Sequence, residues 1–437
     1  MNLFDFTLGL KGFPIREATR HLEEIQKLSQ FDFAEYVERQ KKEITEFHLI
    51  NNPFYSALAK NASVSDWDSL PVLEKNDLQQ PLVNRLSKGY SKRNVYVNKT
   101  SGSGGHPFVF AKDKFSHALT WAMIRDRFLW HGIDLNTSLQ ARFYGIPLDT
   151  FGYQKERLKD RLSSRYRFPI FDLSDSKLEQ FFQKFKKTPF EYINGYTSSI
   201  VLFAKYLQKK GVLLNEVCPT LKVCMVTSEM LFETDKKLLE KQFGVPVVNE
   251  YGASELDLIA ITNANDEFII NSETLFVEIL DRNNQAVPNG TSGRIVITSL
   301  YNKAHPFIRY DISDSGILDE KSTLKNPILK ELIGRTNDVA LLPSGKIVPG
   351  LTFYYVTKRI MENSGNVKEF VITQTKIDTF EIDYISERML NDSEADEVKK
   401  AIETYLEAGL TTHLNRVLFL NRKNRGKLKQ FTSLIHV

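Results

Sequence analysis

The sequence predicts an α/β protein with a large N-terminal domain of parallel and mixed sheets, a β-rich subdomain within it, and a small α+β domain at the C-terminus. Three observations predict this. Short apolar runs alternate with helical patterns through the middle of the chain. Longer runs of antiparallel type follow, split by a turn at Asn289-Gly290. After about residue 349 the order becomes strand, strand, helix, strand.

The elements can be taken in order. Residues 1 to about 90 read as helical and polar, with Leu22, Ile25, Leu28, Phe31, Phe33, Tyr36 and Val37 at helix-like spacing. Val95-Tyr96-Val97 and Phe108-Val109-Phe110 read as strands around a loop. Asp113 is a plausible N-cap for a helix whose one face carries Phe115, Ala118, Leu119, Ala122 and Met123. Trp121, Phe128 and Trp130 widen that face as core rather than as a ligand cage. Val223-Cys224-Met225-Val226 and Val245-Pro246-Val247-Val248 flank a helix at about 233–243, which makes a strand–helix–strand unit and a mainly parallel sheet. Phe276–Leu280 and Arg294–Ile297 read as antiparallel strands. The C-terminal unit reads as strands at about 367–374 and 378–385, a helix at about 393–408 and a strand at about 416–420. The acidic run Asp392–Glu397 suits a helix start, where the helix dipole favours negative charge.

Composition excludes several classes. A chain of 437 residues is long enough for two or three domains with real cores. Its 58 basic and 54 acidic residues are too balanced for a nucleic-acid-binding protein. Cys218 and Cys224 fit no common zinc spacing and flank an apolar run, so they read as buried thiols. No signal peptide and no run of about 18 apolar residues is visible, so a cytoplasmic protein without a membrane span is expected.

The densest motif is Thr100-Ser101-Gly102-Ser103-Gly104-Gly105-His106-Pro107. Glycines let a backbone turn its N–H groups inward and hydroxyls add donors, so such a loop can wrap a polyphosphate. A Walker A loop would continue with Lys and a helix, whereas a strand follows here. From composition alone a ligand-free hairpin turn remains an equal reading. Four further segments come in order: Tyr251-Gly252-Ala253-Ser254-Glu255, Arg309-Tyr310-Asp311-Ile312-Ser313-Asp314, Gly334-Arg335-Thr336-Asn337-Asp338 running on to Pro349, and Arg425-Gly426-Lys427-Leu428-Lys429.

This series resembles the adenylate-forming superfamily, in particular the phenylacetate–CoA ligase family and its relatives in capsular polysaccharide clusters. The resemblance spans roughly residues 50–430. It implies an N-terminal ATP- and acyl-binding domain over 1–336 and a mobile C-terminal lid over 337–437. It implies activation of a carboxylic acid by ATP and Mg²⁺ as an acyl-adenylate, then transfer to CoA. An amine or hydroxyl acceptor, for instance on a sugar nucleotide, is the close alternative. A nucleotide-binding relative without turnover is the alternative of another class.

The resemblance also assigns roles. Thr100, Ser101, Gly102, Ser103, Gly104 and Gly105 would form the phosphate loop. Glu255 would hold Mg²⁺, Ser254 the α-phosphate, and Tyr251 beside Gly252 the adenine. Asp314 would accept the ribose hydroxyls, in preference to Asp311, and Arg335 would reach ribose or phosphate. Asn337 would be the hinge and Lys427 the catalytic lysine, with Lys429 its competitor. Tyr196, Ser228 and Glu229 would line the acyl pocket. The chain departs from the family at Gly104, where a hydroxyl is common, at His106, where Lys is common, at Ile312-Ser313, where Thr-Gly is usual, and at Asn337, usually Asp or Lys.

Overall fold

The computed structural model describes residues 8–437 except 64, 100–108, 145–149, 171–172, 174, 336–338, 346, 350–352, 354–355, 357–365, 421–430 and 436–437. Two compact units divide the chain. One comprises Met1–Ile312 with Ile317–Lys330, the other Ser313–Gly316 with Glu331–Val437.

The first unit opens with helices α1 (Ile15–Gln26) and α2 (Gln30–Asn51). In α1, Ile15, Ala18, Leu22 and Ile25 recur at three- and four-residue spacing and are buried. Ser29 starts α2 by accepting a hydrogen bond from the Asp32 amide. Strands β1 (Tyr96–Lys99) and β2 (Val109–Lys112) form an antiparallel hairpin whose last pair is Lys99 opposite Val109. Helix α3 (Lys114–Leu129) is capped by Asp113, which accepts from the Ser116 amide at 2.9 Å. Its Ala118, Leu119, Ala122 and Met123 are buried against Ala18 and Leu22 of α1.

A seven-stranded sheet follows. Its members are β3 (Gln140–Phe143), β4 (Arg165–Phe168), β5 (Tyr192–Tyr196), β6 (Val223–Thr227), β7 (Val247–Ala253), β8 (Asp257–Thr262) and β9 (Phe268–Ile270). The order is β4-β3-β5-β6-β7-β8-β9. The neighbours from β4 to β7 are parallel, and β8 and β9 add on antiparallel. Helices α4 (Asp175–Lys187), α5 (Thr197–Lys210) and α6 (Glu233–Phe243) connect the parallel strands, as short crossovers require. One face carries Ala141, Phe143, Ile193, Cys224, Val226 and Val247, packed with Phe168, Phe181, Phe185 and Phe203. Phe143 and Phe168 stack with centroids 4.9 Å apart. The other face carries Tyr192, Val223, Met225 and Val248, under Phe128 of α3. Both cysteines are buried free thiols.

Strands β10 (Leu275–Leu280) and β11 (Gly293–Ser299) pair antiparallel from Leu275 opposite Ser299 to Leu280 opposite Arg294. They belong to a four-stranded sheet with β12 (Tyr310–Leu318) and β13 (Leu329–Arg335), in the order β10-β11-β12-β13.

The second unit holds a small hairpin, β14 (Val339–Leu341) with β15 (Ile347–Pro349). Its main sheet comprises β16 (Val367–Lys376), β17 (Thr379–Ser386), β18 (Thr411–Arg416) and β19 (Phe431–Ser433), ordered β18-β17-β16-β19. Helix α7 (Asp392–Tyr405) begins with a capping box between Asn391 and Glu394 and buries Val398, Ala401 and Ile402. These pack with Ile372, Phe380 and Ile382 of the sheet.

One expected strand is displaced. The sequence predicts it over the apolar run 416–420, but the strand is the polar stretch Thr411–Arg416. It runs parallel to β17 at the sheet edge, where backbone pairing decides and few side chains are buried. Leu418 and Phe419 are left exposed, at 87% and 79%. The short strand β19 was not anticipated. Among the described residues, no helix is long and apolar enough to cross a membrane.

Candidate active site

Four neighbouring parallel strands, β3, β5, β6 and β7, end side by side. In such sheets the carboxyl ends of the strands are where ligands bind. Gly195 near the end of β5 allows a close approach, since a Cβ there would lie 2.4 Å from the Phe143 carbonyl oxygen on β3. Tyr196 follows, buried, and is the backbone N-cap of α5. Glu229, in the loop after β6, accepts a hydrogen bond from the Ser198 amide at 2.7 Å, so its carboxylate sits on the first turn of α5. Its backbone carbonyl accepts from the Thr197 hydroxyl at 3.3 Å. Ser228 beside it is exposed and left-handed, with φ of +72°.

The segment Tyr251–Glu255 leaves the end of β7. Tyr251 is buried. A Cβ on Gly252 would fall 2.3 Å from the Asp257 carbonyl oxygen, so only glycine fits where the pairing of β7 with β8 shifts register. Ser254 is exposed and Glu255 is buried. The Tyr310 hydroxyl donates to Glu255 Oε1 at 3.0 Å. Two motifs distant in sequence therefore meet at one carboxylate.

Next to them, Asp257 takes a φ of +60°. Its carboxylate contacts the Lys112 ammonium and accepts from the Thr120 hydroxyl at 2.7 Å. Lys112 closes β2, the strand that follows the glycine loop, so the ion pair ties that strand to the turn carrying Glu255. Lys112, Ser116, Thr120, Glu255, Asp257 and Tyr301 line a small polar cleft.

The three charged residues of the Arg309–Asp314 segment have different surroundings. Arg309 is fully buried and donates to the carbonyls of Trp67, Asp68, Leu70 and Asn284 at 3.1–3.2 Å. It is a structural anchor. Asp311 accepts from Arg294 Nη1 at 2.7 Å and is thereby committed within the first unit. Asp314 is buried in the stretch of β12, Ser313–Gly316, that belongs to the second unit, after Ser313 with φ of +64°. Among the described residues, four of the seven non-glycine residues with positive φ, namely Ser228, Asp257, Arg309 and Ser313, lie in or beside the motif segments. Such strain persists where surroundings over-determine it, as at working sites.

Arg335 ends β13. Thr100, Ser101, Gly102, Ser103, Gly104, Gly105, His106, Asn337, Lys427 and Lys429 lie outside the described residues.

Two members of a further polar group, Arg142 and Glu250, went unread in the sequence. Arg142 and Asn194 are register partners, and Thr227 is the partner of both Tyr196 and Glu250. The Asn194 amide donates to Glu250 Oε2 at 2.9 Å. The Arg142 guanidinium lies 4.3 Å from the Tyr144 ring centroid, and the Tyr144 and Tyr196 rings are 4.7 Å apart. Burial pushes the Glu250 carboxyl up to about 7, against the opposing pull of Asn194, Arg142 and Thr227. Its adjacency to Tyr251 was the one signal in the sequence that could have drawn attention to it.

Among the described residues, no cluster of three or more metal-ligating side chains occurs. The single carboxylate of Glu255 suits a Mg²⁺ ion that keeps waters and phosphate oxygens as its other ligands.

No family model matches the chain. Protein CapK of Staphylococcus aureus is 24% identical over 93% of this chain and 91% of its own length. A phenylacetate-coenzyme A ligase of Aromatoleum evansii is 23% identical over 84% of this chain and 85% of its own. A 2-hydroxyisobutyryl-CoA ligase, solved in the postadenylation state with an acyl-AMP, superposes with a TM-score of 0.70 at 16% identity, over 94% of this chain and 91% of that one. The chain is thus similar along most of its length to Protein CapK and to a phenylacetate-coenzyme A ligase, and shares its fold with a 2-hydroxyisobutyryl-CoA ligase.

Proposed function

We propose that the protein is an AMP-forming ligase that activates a carboxylic acid with ATP and passes the acyl group to CoA. The observation that supports this best is the meeting of Glu255 and Tyr310 at the carboxyl end of a parallel sheet. The similarity to a phenylacetate-coenzyme A ligase over most of the chain adds to it.

In the first half-reaction a carboxylate oxygen attacks the α-phosphorus. The bond from that phosphorus to the bridging oxygen breaks, and pyrophosphate leaves. Charge grows on the α-phosphate oxygens, so fixed donors and cations act there. Glu255 would hold Mg²⁺, oriented by the Tyr310 hydroxyl. When bound, that ion supplies charge neutralisation for the phosphates. Ser254 would donate to the α-phosphate, Tyr251 would lie on the adenine beside Gly252, and Asp314 and Arg335 would fix the ribose. Thr100–Gly105 would wrap the phosphates. Lys427 would bring its ammonium to the α-phosphate, with the chain turning at Asn337 between half-reactions. In the second half-reaction the CoA thiolate attacks the acyl carbon and AMP leaves.

A second acceptor reading has its own support. A solved amide bond synthetase superposes on 76% of this chain with a TM-score of 0.52, which supports an amine, or a hydroxyl as on a sugar nucleotide, as the alternative acceptor.

The test is carboxylate-dependent pyrophosphate release with ATP and Mg²⁺, followed by transfer to CoA, to amines and to sugar nucleotides. Glu255→Gln should slow release by about tenfold to a thousandfold. Lys427→Ala should slow it about a hundredfold or more and leave transfer from preformed acyl-adenylate near the parent rate. Thermal stabilisation by ATP without release on any acid would instead favour a nucleotide-binding protein without turnover.

A further inference from the structure

The polar group around Glu250 has a definite place in the sheet. In a parallel ladder, register partners point to the same face and alternate residues along a strand share it. Arg142, Asn194, Thr227 and Glu250 therefore stand on one face of four adjacent strands, and Tyr144 and Tyr196 close the strand ends, where their side chains also pack with the apolar core of the opposite face. Further back on that face the residues are Tyr192, Val223, Met225 and Val248, covered by Phe128 and Ile133. The surface changes from apolar and covered to polar and partly open within one or two residues of the strand ends.

The openness is notable because β3, β6 and β7 are interior strands of a seven-stranded sheet. Even so, Arg142, Tyr144, Thr227 and Glu250 are only half-buried. Asn194 and Tyr196 behind them are buried. The arrangement is held in place: Asn194 spans from Gln140 Nε2, at 3.4 Å, to Glu250. Arg142 lies against Tyr144 and near enough to Glu250 to favour its ionised form. Glu250 directly precedes Tyr251, so the group adjoins the segment assigned above to the nucleotide.

We propose that this surface receives the substituent of the acid being activated, and that it selects short carboxylic acids bearing a hydroxyl group. This rests on the adenylation reading above and narrows its substrate. An unsubstituted aryl or alkyl chain placed here would strip water from a guanidinium, an amide and a carboxyl without replacing their hydrogen bonds. A hydroxyl can donate to Glu250 and accept from Arg142 at once. An ammonium could satisfy Glu250 but would stand beside the Arg142 cation. Arg142 and Glu250 are thus specificity-determining residues.

The experiment measures acid-dependent ATP–pyrophosphate exchange for matched short acids on one carbon skeleton: unsubstituted, hydroxylated and aminated. The parent protein should favour the hydroxylated over the unsubstituted acid about a hundredfold in kcat/KM, because the unsubstituted acid leaves buried polar groups unmatched. In Glu250→Gln and in Arg142→Met that ratio should fall at least about tenfold. The readout is a ratio within one preparation, so partial misfolding does not mimic it, and Glu250→Gln preserves shape. Equal or better use of the unsubstituted acid overturns the proposal. So does a preference for the aminated acid, or a ratio unchanged in both variants. These results leave adenylation standing, whereas no exchange with any acid overturns the adenylation reading and this one with it.

Discussion

Two arginine–glutamate neighbourhoods in the first unit differ in what completes them. Arg309 is fully enclosed, lies 3.3 Å from Glu278 Oε1, and donates to four backbone carbonyls from the segments 67–70 and 284. Arg142 is half-buried, its plane rests on Tyr144, and its glutamate neighbour is held by Asn194. The first group is anchored by four hydrogen bonds to the protein's own backbone and ties two distant segments together. The second is built from side chains at strand ends and keeps solvent-facing surface. A buried charge completed by backbone serves the fold, and one completed only by neighbouring side chains at an opening has capacity left for a ligand.

The largest effect that tests this contrast is on stability. Arg309→Met takes from buried Glu278 the cation 3.3 Å away and orphans four carbonyls. It should cost about 3–5 kcal/mol in denaturant unfolding. Arg142→Met should cost no more than about 1–2 kcal/mol, the scale of a lost cation–π contact. Similar losses in both variants would erase the distinction between anchor and site.

A smaller effect concerns Glu255. Tyr310→Phe removes the hydroxyl that fixes one carboxylate oxygen and little else. Unfolding free energy should change by about 1 kcal/mol. Adenylation should slow about five- to tenfold, with a higher Mg²⁺ concentration needed for half-maximal rate. An unchanged Mg²⁺ requirement would make the Tyr310 contact a fold feature, like those of Arg309.

The same contrast explains what could be read in the sequence. The strand–helix–strand unit from Val223 to Val248 was legible because burial on both faces leaves continuous apolar runs. The edge strand Thr411–Arg416 was not, because its pairing with β17 uses backbone groups that no side-chain pattern reports. Glu255 and Tyr251 could be picked out from a local motif. The Lys112–Asp257 pair could not, since its members stand 145 residues apart and meet only in the folded sheet. Tyr310 stood in a quoted motif, yet its hydrogen bond to Glu255 crosses 55 positions. Arg142, Asn194 and Glu250 come from three strands, and only strand register brings them to one face.

The finest effect is a slope with pH rather than an offset. Burial raises the Glu250 carboxyl from 4.5 to about 7, while Arg142, Asn194 and Thr227 restrain the shift. Arg142 and Tyr144 on the β3 side, and Tyr192 on β5, are the other ionisable groups coupled to it. In the unfolded chain the group ionises near 4.5. Between those two values the unfolded state has released a proton that the folded state retains. Stability therefore falls as pH rises through that window, and levels off above about 7. Glu250→Gln removes this one titration. The unfolding free energy of the parent minus that of the variant should then decline from pH 4.5 to about 7 and stay flat beyond. A difference that instead rises with pH would mean that Arg142 holds Glu250 ionised as a closed ion pair. That outcome would move this neighbourhood into the same class as Arg309 and Glu278, and leave no open acceptor for a substrate hydroxyl.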